Sequence, residues 1–171
     1  MALAAGQMGI YTREDLILGI DPGRDKTGFA FVDFNGNLLA SGIFETSKRD
    51  DFFADLKNFN DSNFIIDLII EGSADSLKDS QIKFLALGKG THSKEFYNYL
   101  REKLPNDINI LLVDERNTTL EARALYWKLH KPSLLMRLIP EGLRVPDRVL
   151  DDLAACIIAL RALKKYKNIE I

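Results

Sequence analysis

A chain of 171 residues, 46% hydrophobic and 28% charged, has the size and composition of one globular domain with a single hydrophobic core. Its 23 basic and 25 acidic side chains give a formal net charge of −2, which excludes the strongly positive overall field of a nonspecific nucleic-acid binder. No apolar run reaches the roughly 18 residues that span a bilayer, so no membrane partner is expected. The single cysteine, Cys156, excludes a disulfide framework and indicates a reducing, cytoplasmic compartment.

The first fifteen residues differ from the rest of the chain. They contain neither the basic segment nor the continuous apolar stretch of a secretory signal. We interpret residues 1–15 as a flexible tail and residues 16–171 as a single domain.

Three consecutive segments predict an antiparallel start to a sheet. Leu16–Ile20 is a dense apolar run suited to a strand buried on both faces, and Phe29–Phe34 is a second such run. Asn35-Gly36-Asn37 is a hairpin signal that connects this second run to Leu38–Thr46.

Helical and strand patterns then alternate. Thr91 is a candidate helix cap, and Thr118-Thr119-Leu120-Glu121 has the form of a capping box. The predicted elements are helices at Asp50–Phe59 and Phe64–Ile70, a strand at Ile82–Leu87, a helix from Thr91 to Leu104, a strand at Ile108–Val113, a helix from Thr119 to His130, a loop at Lys131–Arg148 and a helix at Val149–Lys165. This order predicts an α/β fold with a mixed five-stranded sheet, three antiparallel strands followed by parallel crossovers, flanked by helices.

Acidic residues stand at the ends of three elements that are remote in sequence. Asp21 ends the first strand, Asp114 and Glu115 end the last strand, and Asp151 and Asp152 lie in the first turn of the last helix. Functional groups collect at the carboxyl ends of parallel strands, so we expect these acids to meet. Because carboxylates repel one another unless a cation separates them, the pattern predicts a Mg²⁺ or Mn²⁺ site, with two ions able to support phosphodiester hydrolysis. Taken singly, the same acids are typical of turns and helix starts.

A glycine-rich loop is the second candidate feature. Gly88-Lys89-Gly90-Thr91 leads from a predicted strand into a helix N-terminus, a common place for a phosphate. A plain strand-to-helix turn explains these residues almost as well.

Four segments in this order and spacing resemble the YqgF (RuvX) family. They are GIDPGRDKTGFAFVD, LALGKGTHSKEF, LLVDERNTTLEARALYW and LDDLAACIIAL, and the resemblance extends from about Ile17 to Leu163. The family comprises ribonuclease H-like nucleases described as Holliday-junction resolvases or pre-16S rRNA processing nucleases. The resemblance therefore implies a ribonuclease H-like fold and a metal-dependent endonuclease acting on RNA or branched DNA, as a monomer or homodimer.

The resemblance also implies roles for individual residues. Asp21, Glu115 and Asp151 match the catalytic metal ligands, and Asp152 stands beside them as a further ligand. The residues expected to contact nucleic acid are Lys26, Lys89, Thr91, Arg116, Thr118, Thr119 and Arg148.

Two departures leave parts of this interpretation open. The Gly-Lys-Gly-Thr segment replaces the Gly-Leu-Pro turn common in bacterial members and is similar to the Tex transcription factors, so RNA and DNA both remain candidate substrates. Glu71 imitates a strand-end acid of RuvC-type resolvases, but the pattern places it on a helix.

Two other function classes remain open. The first is a ribonuclease H-like domain that binds nucleic acid or protein without catalysis. The second is an actin-like nucleotide-binding domain, suggested by the Asp21–Gly28 motif. Such a domain uses a second copy of the sheet, which this sequence does not contain.

Overall fold

The computed structural model describes residues 15–56 and 63–169. Within these ranges six strands form one sheet in the order β4-β3-β2-β1-β5-β6. The strands are β1 (Asp15–Pro22), β2 (Lys26–Asp33), β3 (Leu38–Glu45), β4 (Ile69–Gly72), β5 (Gln81–Gly88) and β6 (Asn109–Val113). The helices are α1 (Arg49–Leu56), α2 (Asn63–Leu68), α3 (Ser93–Lys103), α4 (Thr118–Leu129) and α5 (Asp151–Ile169).

The direction of the strands follows the prediction. Strands β1 to β4 pair antiparallel in sequence, while β5 pairs parallel with β1 and β6 pairs parallel with β5. The carboxyl ends of β1, β5 and β6 therefore lie at one edge of the sheet, which confirms the arrangement expected from the sequence.

Hydrophobic layers cover both faces of the sheet, as predicted for strands that are apolar along their whole length. One layer packs aromatic side chains of β2 and β3 against α1, with the rings of Phe44 and Phe52 stacked at 4.3 Å between centroids. The other packs small residues of α5, such as Ala155 and Ala159, against Ile17 and Ala30 of the sheet. Cys156 is buried in this second layer, as predicted.

A sixth strand corrects the five-strand prediction. The segment predicted as a helix over Phe64–Ile70 is helical only to Leu68, and then becomes β4, which pairs with β3 and contains Glu71. The placement of Glu71 on a helix is therefore wrong. The paired β-branched residues Ile69 and Ile70 favour a strand, and the apolar periodicity of a six-residue helix is too short to reveal the change.

Both predicted helix caps are also wrong. Helix α4 is preceded by Asn117 in the left-handed conformation (φ 64°), and the Thr118 hydroxyl donates instead to the Glu115 carbonyl at 2.8 Å. Helix α3 begins after His92, whose side chain makes no cap bond, and Thr91 is exposed one residue earlier.

Other predictions fall at the margins of the described residues. Residues 1–14 of the predicted tail and Phe59 of the first predicted helix lie outside them, while Asp15 is already part of β1. In the part of the chain that the structure describes, no helix is both long and apolar enough to cross a membrane.

Candidate active site

Glycines bring the start of α5 onto the end of β1. A Cβ atom added to Gly28 would stand 2.0 Å from the carbonyl oxygen of Asp151, and one added to Gly19 would stand 2.1 Å from that of Ala155. Gly28 pairs with Asp21 across β1 and β2. The close contact between helix and sheet, possible only without a side chain, therefore places the first turn of α5 beside Asp21.

Glu115 reaches the same edge from the loop after β6. A Cβ atom on Gly88 would lie 2.9 Å from Glu115 Oε2, and one on Gly90 would lie 2.1 Å from Oε1. The carboxylate of Glu115 thus occupies the space that these two glycines leave open at the end of β5. Since β5 is the neighbour of β1, this position directs Glu115 towards Asp21.

The electrostatics indicate that Glu115 and Asp151 both act on Asp21. Burial, followed by the negative charges of Glu115 and Asp151, raises the pKa of Asp21 to about 7. Burial raises the pKa of Glu115 with a contribution from Asp114, and it raises the pKa of Asp151, where Asp152 adds to the effect and Lys26 opposes it. Within the described part of the chain, none of the three carboxylates accepts a hydrogen bond.

This donor set fits a divalent cation in its chemistry. Three half-buried carboxylates without hydrogen-bond donors need a positive partner, and hard cations such as Mg²⁺ and Mn²⁺ bind such oxygens. The ligand geometry itself is not assembled, because no group of three or more His, Cys, Asp or Glu side chains among the described residues is arranged to hold a metal ion. Side-chain adjustment would have to accompany binding.

An open cleft of about 710 Å³ borders this site at Asp151. It is lined by Arg24, Asp25, Lys26, Thr91, His92 and Asp151. Two of the predicted nucleic-acid contacts, Lys26 and Thr91, therefore border the same cleft as a predicted metal ligand. The sequence prediction missed Arg24 and His92, which reach the cleft from the turn before β2 and from the start of α3.

Arg161 is a further residue that sequence reasoning missed. Its guanidinium extends from α5 and donates to the carbonyl oxygens of Asp114 and Arg116 at 2.5 and 2.8 Å, and to Glu121 Oε1 at 2.5 Å. It therefore holds the backbone on both sides of Glu115. The available signal was a lone arginine within the apolar run of α5.

The family of this chain follows from a comparison with family models. The model described as RuvX, Holliday junction resolvase, matches residues 15–165. The chain belongs to the RuvX family. This confirms the resemblance seen in the sequence, and membership supports a nuclease-type resolvase function.

Comparisons with individual proteins add less. The chain is similar to two solved structures of Thermus thermophilus RuvC, one in complex with a Holliday junction substrate (16% identity, TM-score 0.42, 89% of this chain and 95% of that chain) and one described as the RuvC structure (15%, 0.43, 90% and 96%). No curated protein sequence matches the chain.

The structure gives Asp152 and Arg148 partners away from the other acids of this RuvX chain. Asp152 is fully buried, accepts a hydrogen bond from Ser41 Oγ at 2.9 Å and lies 2.7 Å from Arg148 Nη1. Arg148 also pairs with Glu71 at 2.6 Å, and His130 Nε2 lies 2.7 Å from the same Glu71 oxygen. Asp152, Arg148 and Glu71 therefore form an ion-pair cluster on the β3–β4 side of α5, and the carboxylates of Asp152 and Glu71 are engaged there by Arg148.

The remaining predicted nucleic-acid contacts differ in how accessible they are to a ligand. Arg116 is exposed but pairs with Asp114 at 2.6 Å, while Thr118 is buried against the Glu115 carbonyl. Lys89 and Thr119 are exposed to solvent. Of the two threonines, only Thr119 is accessible to a ligand.

Proposed function

We propose that this RuvX family member is a metal-dependent endonuclease that hydrolyses phosphodiester bonds in structured nucleic acid. Asp21, Glu115 and Asp151 would hold Mg²⁺ or Mn²⁺. The observation that carries the proposal is the clustering of three carboxylates without hydrogen-bond donors, in which burial, followed by the charges of Glu115 and Asp151, raises the pKa of Asp21 to about 7.

Each residue has a distinct part in this proposal. When bound, divalent cations lower the pKa of a water molecule and neutralise charge that develops on the leaving oxygen. Asp21, held by the rigid centre of the sheet, fixes the ligand position that the other two acids approach. Lys26, which borders the cleft and partly opposes the raised pKa of Asp151, would favour the ionised form of that carboxylate and contact a phosphate.

The substrate class follows from the family. A four-way DNA junction is the first candidate, because the matching family is described as one of Holliday junction resolvases. Precursor rRNA is the second, as implied by the sequence resemblance. Two-ion catalysis and action as a homodimer belong to the same proposal, since a resolvase cuts two symmetric strands.

Cleavage assays test the proposal directly. The purified chain is incubated with a four-way DNA junction, precursor rRNA and an RNA hairpin, with Mn²⁺ or with EDTA. We expect Mn²⁺-dependent cutting, and a loss of at least about a hundredfold in rate for Asp21→Asn, because a ligand to the ion that activates the nucleophile is removed. Asp107→Asn is the control for cleavage, since Asp107 is an exposed acid that precedes β6 and does not line the cleft. Equal cutting by wild type and Asp21→Asn would refute the proposal.

A glycine substitution tests the geometry without removing an acid. In Gly90→Ala the new methyl group would meet the end of the flexible Glu115 side chain, which would be displaced while the backbone is unaffected. We expect weaker Mn²⁺ binding by calorimetry at an unchanged melting temperature. Gly142→Ala is the control, because a Cβ atom there has no neighbour within 4 Å.

One observation favours a second candidate, a binding domain without catalysis. The three acids are near one another, yet no described set of side chains is arranged as a metal site. For such a domain, nucleic-acid binding would persist in EDTA, Asp21→Asn would leave it unchanged, and no substrate would be cut with Mn²⁺.

A further inference from the structure

The segment between α4 and α5 exposes an unusual amount of apolar surface. Residues 131–147, which we call the arm, contain two short 3-10 turns, at Met136–Leu138 and Glu141–Leu143. Leu134, Leu135 and Leu138 expose between 78 and 82% of their surfaces. Exposed apolar clusters of this kind on a globular protein mark interaction surfaces.

The arm has a defined conformation despite this exposure. Arg144 donates from Nε to the Ile139 carbonyl at 2.9 Å and from Nη2 to the Arg137 carbonyl at 3.4 Å. Arg137 donates from Nε to the Pro132 carbonyl at 3.2 Å. These bonds leave most of the five N–H groups of each guanidinium free, so the arginines both shape the arm and can still bind an anion.

The two ends of the arm are fixed at one carboxylate. His130, just before the arm, and Arg148, just after it, both contact Glu71 Oε1, at 2.7 and 2.6 Å. Tyr126 donates a further hydrogen bond to Asp147 at 2.6 Å. Glu71 therefore anchors the arm to strand β4, and the apolar side chains extend from a fixed base.

The position of the arm relates it to the candidate active site. Strand β4 is three strands from β1, about 14 Å at ~4.8 Å for each strand. At the far end of the arm the chain continues within a few residues into Asp151. The C-terminal end of the arm is therefore only a few residues of chain from the candidate active site.

Charge decides which kind of partner fits. The whole chain has a net charge of −2, but within the arm Lys131, Arg137 and Arg144 outnumber Glu141 and Asp147. A basic segment with projecting aliphatic side chains is the composition that proteins use to separate stacked base pairs, where Leu, Ile, Met or Pro enters between bases while Arg and Lys contact phosphates.

We propose that the arm is a wedge for branched nucleic acid, in which Leu134, Leu135 and Leu138 insert at a base step already loosened at a junction or bulge. The wedge proposal rests on the proposed function, because it explains how the same site would select its substrate. Linear duplex, in which every base step is stacked, resists such insertion and would be bound mainly through phosphates.

Binding measurements in EDTA test the wedge separately from cleavage. The probes are a four-way DNA junction with 2-aminopurine at the crossover and a linear duplex of the same sequence. Wild type should bind the junction more tightly than the duplex and increase the 2-aminopurine fluorescence. The triple variant Leu134→Ser/Leu135→Ser/Leu138→Ser should lose at least about tenfold in junction affinity and the fluorescence increase, with its duplex affinity unchanged.

Leu120→Ser is the matched control, because Leu120 is 62% exposed on α4, outside the arm. Its junction affinity should equal that of wild type. Circular dichroism should show that the triple variant is folded, as expected from removing only exposed side chains.

Three results would overturn the wedge. The first is a triple variant with wild-type junction affinity and fluorescence. The second is a wild-type chain that does not change 2-aminopurine fluorescence. The third is a dimeric wild type and a monomeric triple variant by sedimentation velocity, with equal junction affinity per protomer, which would make the arm an interface between copies. Absence of cutting with Mn²⁺ while these binding results hold would refute the nuclease proposal and leave the wedge standing.

Discussion

Asp21 lies where β1 meets the first turn of α5, and the charged groups that most affect it are two other acids, Glu115 and Asp151. Burial, followed by these two negative charges, raises its pKa from 3.8 to about 7 on folding. Between these two values the folded chain holds a proton that the unfolded chain has released. By linkage, the free energy of unfolding must then fall as pH rises through this interval.

The direction of this pH dependence gives a prediction for the metal-free protein. In EDTA, the melting temperature of wild type should fall between pH 5 and pH 8, while Asp21→Asn, which has no proton to lose there, should show a clearly smaller fall. Asp25→Asn should behave as wild type. Circular dichroism melts at several pH values provide the measurement.

Added metal should reverse the effect. Mn²⁺ binds the ionised carboxylates, so it should raise the melting temperature of wild type at pH 8 more than at pH 5. A melting temperature that increases from pH 5 to pH 8 in EDTA, for wild type but not for Asp21→Asn, would contradict the assigned environment of Asp21.

Helix α5 has two neighbouring acids with different surroundings. Asp151 faces the cleft, whereas Asp152 is fully buried and paired with Arg148 and Ser41. Removing the cationic partner of a buried carboxylate strongly destabilises the folded protein, because nothing then offsets the free-energy cost of desolvating the charge. Arg148 therefore has a structural role on α5 and at the base of the arm.

Replacement of Arg148 tests this role. Arg148→Met should lower the free energy of unfolding by about 3–5 kcal/mol in urea denaturation. Arg24→Met is the control, because Arg24 and Asp25 form a pair whose side chains are each 80% exposed; it should change the free energy by less than about 0.5 kcal/mol. A double variant with Asp152→Asn should recover part of the loss.

The opposite result would be equally informative. If Arg148→Met left stability unchanged but weakened nucleic-acid binding about tenfold, Arg148 would be a phosphate contact, as the sequence resemblance implied, rather than the partner of Asp152.

Elements with a strong local pattern could be predicted from the sequence. The apolar runs of β1, β2, β5 and β6 and the long helix α5 lie close to their predicted positions, because each buries a continuous or periodic apolar face. Strand β4 was missed, since four residues are too few to show a period and its pairing with β3 leaves no local signal. The cap at Thr118 failed because Asn117 takes the cap position and the Thr118 hydroxyl donates to the Glu115 carbonyl.

The acids of the candidate site also differ in how far the sequence could predict their positions. The sequence could place Asp21, Glu115 and Asp151 at one sheet edge, because topology alone determines strand and helix ends. It could not distinguish the surroundings of Asp151 from those of Asp152. The partner of Asp152 is Arg148, which also contacts Glu71, 77 residues away in the chain. Contacts across such separations leave no local pattern.

At the scale of the whole molecule, charge sets how the protein should respond to salt. A chain with a net charge of −2 has no general attraction for nucleic acid, so binding must depend on a few basic side chains near the cleft. Each phosphate contact contributes about −0.9 to the slope of log affinity against log salt concentration. With three or four contacts, we expect a slope of about −3 for a DNA junction.

Single substitutions can locate these contacts. Lys26→Gln and Lys89→Gln should each reduce the magnitude of the slope by about 0.9, measured by fluorescence anisotropy in EDTA over a range of salt concentrations. Lys83→Gln is the control, because Lys83 lies near the opposite end of β5, where it pairs with Asp15 at 3.6 Å. A slope near −10, or an equal effect of all three substitutions, would mean that nucleic acid contacts a surface much larger than the cleft at the ends of β1 and β5.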